Sequence, residues 1–326
     1  MTIEMQAMQV FAPAKINLSL KVLGGRDDGF HEIETLIAPI SLCDEIKIDK
    51  DDTNEGIEFR CDDPSVPQGD DNLAVRAARA FFAATKFKPA ILIELKKQIP
   101  HGAGLGGGSS DAATTLLALN QLFDANLTRE ELAKLGATAG SDVPFFIFES
   151  TAICRGRGEL VTSIQLPEKL SILLLKPAFA VATEWAYSRW QDSREIPGVP
   201  YAAQQFADRT FINDLERPVF EKFVFLAQLK MWLLNQTEVG AALMSGSGST
   251  VFAVMRPNAD VDLLATRAKS ELDPELWTCA CATQISPPRG ANYSPAPRCI
   301  AARAYSRFSF AIKLALISAG QTASHS

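Results

Sequence analysis

The order of hydrophobic and polar positions divides the chain into a strand-rich first part and a second part in which strands and helices alternate. Apolar and polar residues alternate from residue 7 to residue 23, which predicts a half-buried strand. Helical spacing and many alanines predict a helix over 73–84. Further strands are predicted near 33–41, 45–49, 56–60, 90–96 and 151–164. We therefore expect a β-rich α+β domain over residues 1–165.

The second part has the pattern of a small α/β sandwich, which we place at residues 166–285. Apolar segments predict strands at 170–175, 239–244, 251–254 and 276–283. Helices are predicted over 183–187, 218–232 and 260–272. Pro197 and Pro200 indicate a surface loop between the first two of these helices.

Residues 286–326 differ in composition from the rest of the chain. They contain no Asp or Glu, four prolines and five basic residues. This basic, acid-free tail is expected to be a flexible, solvated appendage. Its apolar stretch at 310–317 leaves open the alternative that it docks on the body.

Composition limits the classes of function. The chain has 326 residues, 47% of them hydrophobic, which is enough for two domains. A net charge of -6 argues against non-specific binding to nucleic acid or to an anionic membrane. The N-terminal residues resemble neither a secretory nor a transit peptide, so a cytoplasmic protein is expected, as a monomer or homodimer. The six cysteines form no Cys-x-x-Cys pair and are interpreted as reduced thiols, not zinc ligands.

A glycine-rich loop is the main chemical signal. Five glycines fall within residues 102–108, after an apolar strand pattern and before a helix that carries Ala112 and Leu116. Glycines and a helix N-terminus together favour a phosphate-binding site. A P-loop is excluded because no lysine lies between Lys97 and Lys134. A dinucleotide site or a plain flexible turn stays open, although a helix start at Thr128 replaces the second strand that a dinucleotide site needs.

Four separated segments resemble motifs of the GHMP kinase superfamily. They are residues 13–18, 99–112, 140–146 and 243–250. Within that superfamily, residues 24–32 and 213–216 resemble the family of 4-diphosphocytidyl-2-C-methyl-D-erythritol kinases. The resemblance runs in order across about residues 8–284.

The resemblance implies a fold and a reaction. The fold is the two-domain GHMP kinase fold, an N-terminal ribosomal-protein-S5-domain-2-like domain followed by a C-terminal ferredoxin-like α/β sandwich. The reaction is transfer of a phosphoryl group from ATP, with Mg²⁺, to the 2-hydroxyl of a cytidine-diphosphate-linked methylerythritol. The ATP-binding positions implied are Pro100, Gly102, Gly104, Leu105, Gly106, Gly107, Gly108, Ser109 and Ser110. Because no metal-ligand cluster is evident, Mg²⁺ is expected to be carried by nucleotide and water, and no metal-binding residue is assigned.

The same resemblance implies the catalytic pair. Asp142 is the base that accepts the proton of the attacking hydroxyl, and Lys15 lies beside it. A lysine at contact distance would hold that carboxylate ionised. The alternatives are that Lys15 is a solvated strand-end lysine and that Asp142 only caps a helix before Pro144.

Recognition of the acceptor is assigned to four residues by resemblance. His31 bonds the cytosine edge, Phe30 stacks on the base where the family usually has tyrosine, and Tyr187 is the second stacking aromatic. Stacking requires only a ring face, so Phe30 keeps the platform but lacks the hydroxyl. Asn17 lies near the substrate diphosphate or diol. Phe30 and Tyr187 could instead be ordinary core aromatics.

Two other functions stay open at this stage. One is another GHMP small-molecule kinase of the homoserine or mevalonate type, and the 29–31 segment argues against it. The other is a catalytically silent nucleotide-binding protein of the same fold. The presence of both Lys15 and Asp142 disfavours that second alternative.

Overall fold

The computed structural model describes residues 7–50 and 55–284. The predicted tail at 286–326 lies outside the described residues, so its expected flexibility stays a prediction. Within the described ranges, no helix is long and apolar enough to cross a membrane.

The strands are β1 Ala7–Gly25, β2 His31–Lys50, β3 Gly56–Cys61, β4 Ala90–Lys96, β5 Ala152–Gly156, β6 Leu160–Ser163, β7 Ser171–Lys176, β8 Gln204–Phe206, β9 Arg209–Asn213, β10 Val239–Met244, β11 Val251–Met255 and β12 Trp277–Ala282. The helices are α1 Leu73–Thr85, α2 Gly107–Leu122, α3 Arg129–Ala139, α4 Val143–Ile147, α5 Thr183–Ser188, α6 Glu216–Lys222, α7 Val224–Leu234 and α8 Val261–Glu271.

The first sheet is built on one long antiparallel pair, β1 with β2. Its strand order is β3-β4-β2-β1-β9-β8, and the β5–β6 hairpin pairs with β2. The prediction of two separate strands at 33–41 and 45–49 is wrong, because β2 runs through both. Pro39, which cannot donate to a ladder, is accommodated opposite Lys15 at a register shift in β1. That irregularity lies at the residue predicted to be catalytic.

Helices α1 to α4 cover one face of this sheet. Phe81, Leu116 and Phe145 are fully or nearly fully buried in the core between them. The Asn72 side chain caps α1 by accepting from Ala74 N. Thr128 and Glu131 form the predicted capping box of α3. Because α3 follows α2 directly, the chain lacks the second strand of a dinucleotide-binding unit, and that alternative for the glycine loop fails.

The second sheet has the order β10-β11-β7-β12 and is packed by α7 and α8. The single helix predicted over 218–232 is wrong. Phe223 interrupts it with φ -111° and ψ 67° and separates α6 from α7. Its ring stacks on Phe179 at 5.3 Å between centroids, a tertiary contact that a helical period cannot indicate.

The β8–β9 hairpin links the two sheets. No strand was predicted between residues 204 and 213, yet β9 pairs in parallel with β1 through Ser19 and Ile212. A shared core that includes Leu18, Leu174 and Phe252 fills the space between the sheets. The domain boundaries at 165 and 285 stay a prediction.

Candidate active site

The loop before α2 turns on glycines with left-handed backbone angles. Gly102, Gly104 and Gly106 have φ of 64°, 73° and 71°. A Cβ on Gly104 would lie 2.3 Å from the carbonyl oxygen of Ser245, closer than atoms can approach. No side chain caps α2, so its first backbone N–H groups are available to an anion.

A second glycine loop at residues 245–249 packs directly against the first. The Ser245 hydroxyl donates to the Gly104 carbonyl at 3.0 Å, and Thr250 N donates to the Ala103 carbonyl at 3.2 Å. A Cβ on Gly246 would lie 3.3 Å from both the Lys15 Nζ and the Asn17 Oδ1. The second loop therefore joins the phosphate loop to the lysine.

Lys15 is the centre of this arrangement. Its backbone N–H donates to the Leu105 carbonyl at 2.9 Å, and its ammonium donates to Asn17 Oδ1 at 2.7 Å. Asn17 in turn donates to the Thr35 hydroxyl at 2.8 Å. Lys15 is buried, so the solvated-lysine alternative fails. Burial lowers the pKa of Lys15 from its ordinary value, and the nearby Asp142 carboxylate opposes that shift.

Asp142 lies 3.8 Å from the Lys15 ammonium and is 41% exposed. It precedes α4, but its side chain makes no capping hydrogen bond. The helix-capping alternative therefore leaves the carboxylate unexplained. A carboxylate that is paired with a lysine and open to solvent can accept a proton from a bound hydroxyl.

Aromatic residues and a histidine line the same cavity as the ion pair. The His31 and Tyr187 rings are 5.3 Å apart, and Trp190 meets His31 edge-on at 6.2 Å. Phe30 is 48% exposed, and the Arg157 guanidinium lies over its ring at 4.7 Å. An exposed ring is not a core aromatic, so that alternative fails for Phe30. Tyr187 packs against the second-domain core, and burial together with Asp142 raises its pKa.

One cavity of about 890 Å³ contains nearly all of the predicted site residues. Ser110 is the exception. Its N–H donates to the Gly106 carbonyl at 2.9 Å within α2, and its hydroxyl is buried without a hydrogen-bond partner, so it is not placed with the others. The predicted residues that line the cavity are Lys15, Asn17, Phe30, His31, Pro100, Gly102, Gly104, Leu105, Gly106, Gly107, Gly108, Ser109, Asp142 and Tyr187.

A buried charge cluster beneath the phosphate loop was not predicted. The Lys97 ammonium contacts Asp44 and lies 2.9 Å from Asp111 Oδ2. Asp44 also accepts from Gln98 N at 2.6 Å, so it holds the end of β4. Burial and Asp44 raise the pKa of Asp111 to about 8, while Lys97 opposes the shift. Only the position of Asp111 next to the loop could have indicated this cluster, because Asp44 lies far away in sequence.

Two further cavity residues were also missed. Arg157 lies in the turn between β5 and β6, and Thr183 begins α5, where its hydroxyl is 2.8 Å from that of Ser247. Arg157 belongs to no motif of the sequence, and Thr183 was predicted only as the first residue of the helix over 183–187. Their place in the site follows from the packing of β5–β6 and α5 around the cavity.

Two family models match the chain. The GHMP kinases N terminal domain matches residues 72–150, and the GHMP kinases C terminal model matches residues 202–273. A 4-diphosphocytidyl-2-C-methyl-D-erythritol kinase from Methylacidiphilum infernorum is 42% identical over 274 residues, which are 82% of this chain and 93% of that protein. The chain belongs to the 4-diphosphocytidyl-2-C-methyl-D-erythritol kinase family.

Other members of this family agree over nearly the whole described chain. The kinase of the same name from Geobacter sulfurreducens is 39% identical over 285 residues, 86% of this chain and all of that protein (100%). A crystal structure of a 4-(cytidine 5'-diphospho)-2C-methyl-D-erythritol kinase has a TM-score of 0.68 at 36% identity, covering 85% of this chain and 99% of that one. The family resemblance predicted from separated motifs is confirmed.

A more distant solved structure supports the fold of this family. The homoserine kinase from Cytophaga hutchinsonii has a TM-score of 0.65 at 18% identity, covering 87% of this chain and 96% of that one. At that identity the likeness shows the fold alone. The predicted two-domain GHMP kinase fold is confirmed.

Proposed function

We propose that this chain transfers the γ-phosphoryl group of ATP to the 2-hydroxyl of 4-diphosphocytidyl-2-C-methyl-D-erythritol, a step of the non-mevalonate route to isoprenoid precursors. The observation that carries the proposal is the Lys15–Asp142 pair at 3.8 Å, placed in one cavity with the phosphate loop and with the His31–Tyr187 pair. Family membership supplies the acceptor. The cytoplasm is the proposed location.

In this reaction Asp142 accepts the proton of the attacking hydroxyl. The Lys15 ammonium lies 3.8 Å from that carboxylate and stabilises negative charge on the hydroxyl oxygen. Asn17 accepts a hydrogen bond from the ammonium at 2.7 Å, which holds Lys15 in position. Phosphoryl transfer depends mainly on such positioning and on charge neutralisation, so few reacting groups are needed.

The triphosphate of ATP binds to the backbone N–H groups at the start of α2, from Gly107 to Ser109. Mg²⁺ would accompany the nucleotide and neutralise part of its charge. Among the described residues, no group of three or more His, Cys, Asp or Glu could hold a metal ion. Ser109 lines the cavity beside the loop, whereas Asp111 is paired with Lys97. A Mg²⁺ ion here would therefore be bound chiefly by phosphate and water.

The function is tested by comparing acceptors. The purified full chain with ATP and Mg²⁺ is offered the cytidylyl acceptor, homoserine or mevalonate, and ADP release is followed by a coupled assay. We expect turnover of the cytidylyl acceptor alone, because His31, Phe30 and Tyr187 line the same cavity as Lys15 and Asp142. Turnover of homoserine or mevalonate, without turnover of the cytidylyl acceptor, would refute the proposal. ATP binding without product from any acceptor would instead support a catalytically silent protein.

Phe30→Ala should weaken binding of the cytidylyl acceptor without affecting ATP. Loss of the aromatic ring on which a base stacks costs about 1–3 kcal/mol. We therefore expect the KM of the cytidylyl acceptor to rise roughly 5- to 150-fold. Phe11→Ala is the matched control, because Phe11 is 37% exposed on β1 and does not line the cavity. Steady-state kinetics with each substrate varied in turn gives the answer. A rise in the KM of ATP, with that of the acceptor constant, would remove Phe30 from the base platform.

A further inference from the structure

Strand β10 lies at one edge of the second sheet, and side chains pair with its open side. β10 ends the order of its sheet, so one row of its backbone groups faces away from β11. Gln204 donates to the Ala242 carbonyl at 2.8 Å and accepts from Ala242 N at 3.0 Å. Two residues further on, Met244 N donates to Glu216 Oε1 at 2.9 Å. These side chains take the place of a fifth strand.

Asn213 extends this pairing into the second glycine loop. Its amide nitrogen donates to the Met244 carbonyl at 2.7 Å and to the Gly246 carbonyl at 2.8 Å. Its amide oxygen accepts from Leu215 N at 2.9 Å. Both ends of the amide are therefore hydrogen-bonded, which defines its orientation. Asn213 is buried, and these bonds are therefore shielded from competition with water.

Glu216 is held from behind by Lys230, which is completely buried on α7. The ammonium lies 2.6 Å from Glu216 Oε2 and 2.6 Å from the Pro200 carbonyl. The two oxygens of Glu216 thus accept on opposite sides, one from a backbone N–H and one from an ammonium. A carboxylate can do this, whereas an amide has only one accepting atom.

We propose that Asn213 and Glu216, with Lys230 behind Glu216, are positioning residues that hold the second glycine loop against the Lys15 ammonium. Gly246 approaches so closely that a Cβ there would lie 3.3 Å from Lys15 Nζ. A small displacement of the loop therefore moves the surroundings of the reacting pair. The effect on kcat rests on the proposed function, whereas the positioning of the loop does not.

Glu216→Gln should lower kcat about 10- to 100-fold, because misplacement by about 1 Å at a reacting centre has an effect of that size. The NH₂ group of the variant side chain must face either the Lys230 ammonium or the Met244 N–H. Either orientation places one donor against another donor. The KM values for ATP and acceptor should stay near those of the wild type. The double variant Glu216→Gln with Lys230→Met removes the opposing ammonium and should recover most of the lost kcat.

Gln204→Ala is the matched control. It removes two hydrogen bonds from the same edge, but at Ala242, before the loop begins. We expect a lower midpoint of thermal unfolding with unchanged kcat. If Glu216→Gln behaves in the same way as Gln204→Ala at a temperature where both are folded, the positioning role is refuted. It is refuted equally if the double variant stays as slow as Glu216→Gln.

Hydrogen exchange provides a readout that needs no substrate. The peptide covering residues 239–250 should exchange faster in Glu216→Gln than in the wild type, and the double variant should return toward the wild-type rate. Unchanged exchange in this peptide would overturn the proposal even if the enzyme proved to have another acceptor. Wild-type turnover, measured first, tests the proposed function separately.

Discussion

Asp142→Asn is expected to lower turnover by roughly 100-fold or more while ATP binding stays near the wild-type level, given the usual contribution of a general base. The amide keeps the size of the carboxylate but cannot accept the proton of the attacking hydroxyl. It also removes the negative charge that raises the pKa of Lys15, so the pKa of that buried ammonium should fall further. Single-turnover kinetics and ATP calorimetry separate the two effects.

The stability of Asp142→Asn should change little. The Asp142 side chain is 41% exposed and caps no helix, so the free energy of unfolding should fall only by the solvent-screened contribution of its ion pair with Lys15, about 1 kcal/mol or less. Asp262→Asn, in the exposed first turn of α8, is the control for loss of one carboxylate. Unchanged turnover in Asp142→Asn would remove Asp142 from the mechanism and leave its ion pair with Lys15 as structural.

Gly104→Ala is expected to damage both ATP binding and stability. At φ 73° an added side chain is strained by about 1–2 kcal/mol. The Cβ would also lie 2.3 Å from the Ser245 oxygen and 2.8 Å from the Gly248 oxygen, and both are backbone atoms that cannot rotate away. Forced separation of tightly packed groups adds about 1–3 kcal/mol.

We therefore expect the ATP affinity of Gly104→Ala to fall at least tenfold, which corresponds to about 1.4 kcal/mol. The midpoint of thermal unfolding should fall by several degrees. Gly69→Ala is the control, because nothing lies within 4 Å of a Cβ there and the backbone is not left-handed. Wild-type affinity and melting of Gly104→Ala would mean that the two glycine loops do not need their close contact.

The features that the sequence predicted well are those set by local physical chemistry. The alternation along β1, the helical spacing of α1 and the capping box of Thr128 each depend on residues a few positions apart. The glycine loop was predictable for the same reason, since a run of glycines before an apolar helix has few other uses. Family motifs extended this reading to Lys15 and Asp142, whose pairing at 3.8 Å is observed.

The errors concern long-range contacts. At the break between α6 and α7, the Phe223 ring stacks on Phe179, which lies in another segment. The β8–β9 hairpin is short and follows a proline-containing loop, and it is a strand pair because β1 offers an edge to it. Gln204, Asn213 and Glu216 carry no sign in the sequence that they would pair with the edge of β10.

The sequence by itself determined the class of chemistry, because anion binding and proton transfer require particular residue types in short, ordered motifs. Tertiary structure alone decided which groups stand next to one another. Asp44 and Asp111 share Lys97 although 67 residues separate them in the numbering of the chain. Lys15 and Gly246 meet because a shared core holds the two sheets together and Asn213, on the strand that pairs with β1, bonds to the end of β10. Such contacts arise from packing of the whole chain, and no local pattern encodes them.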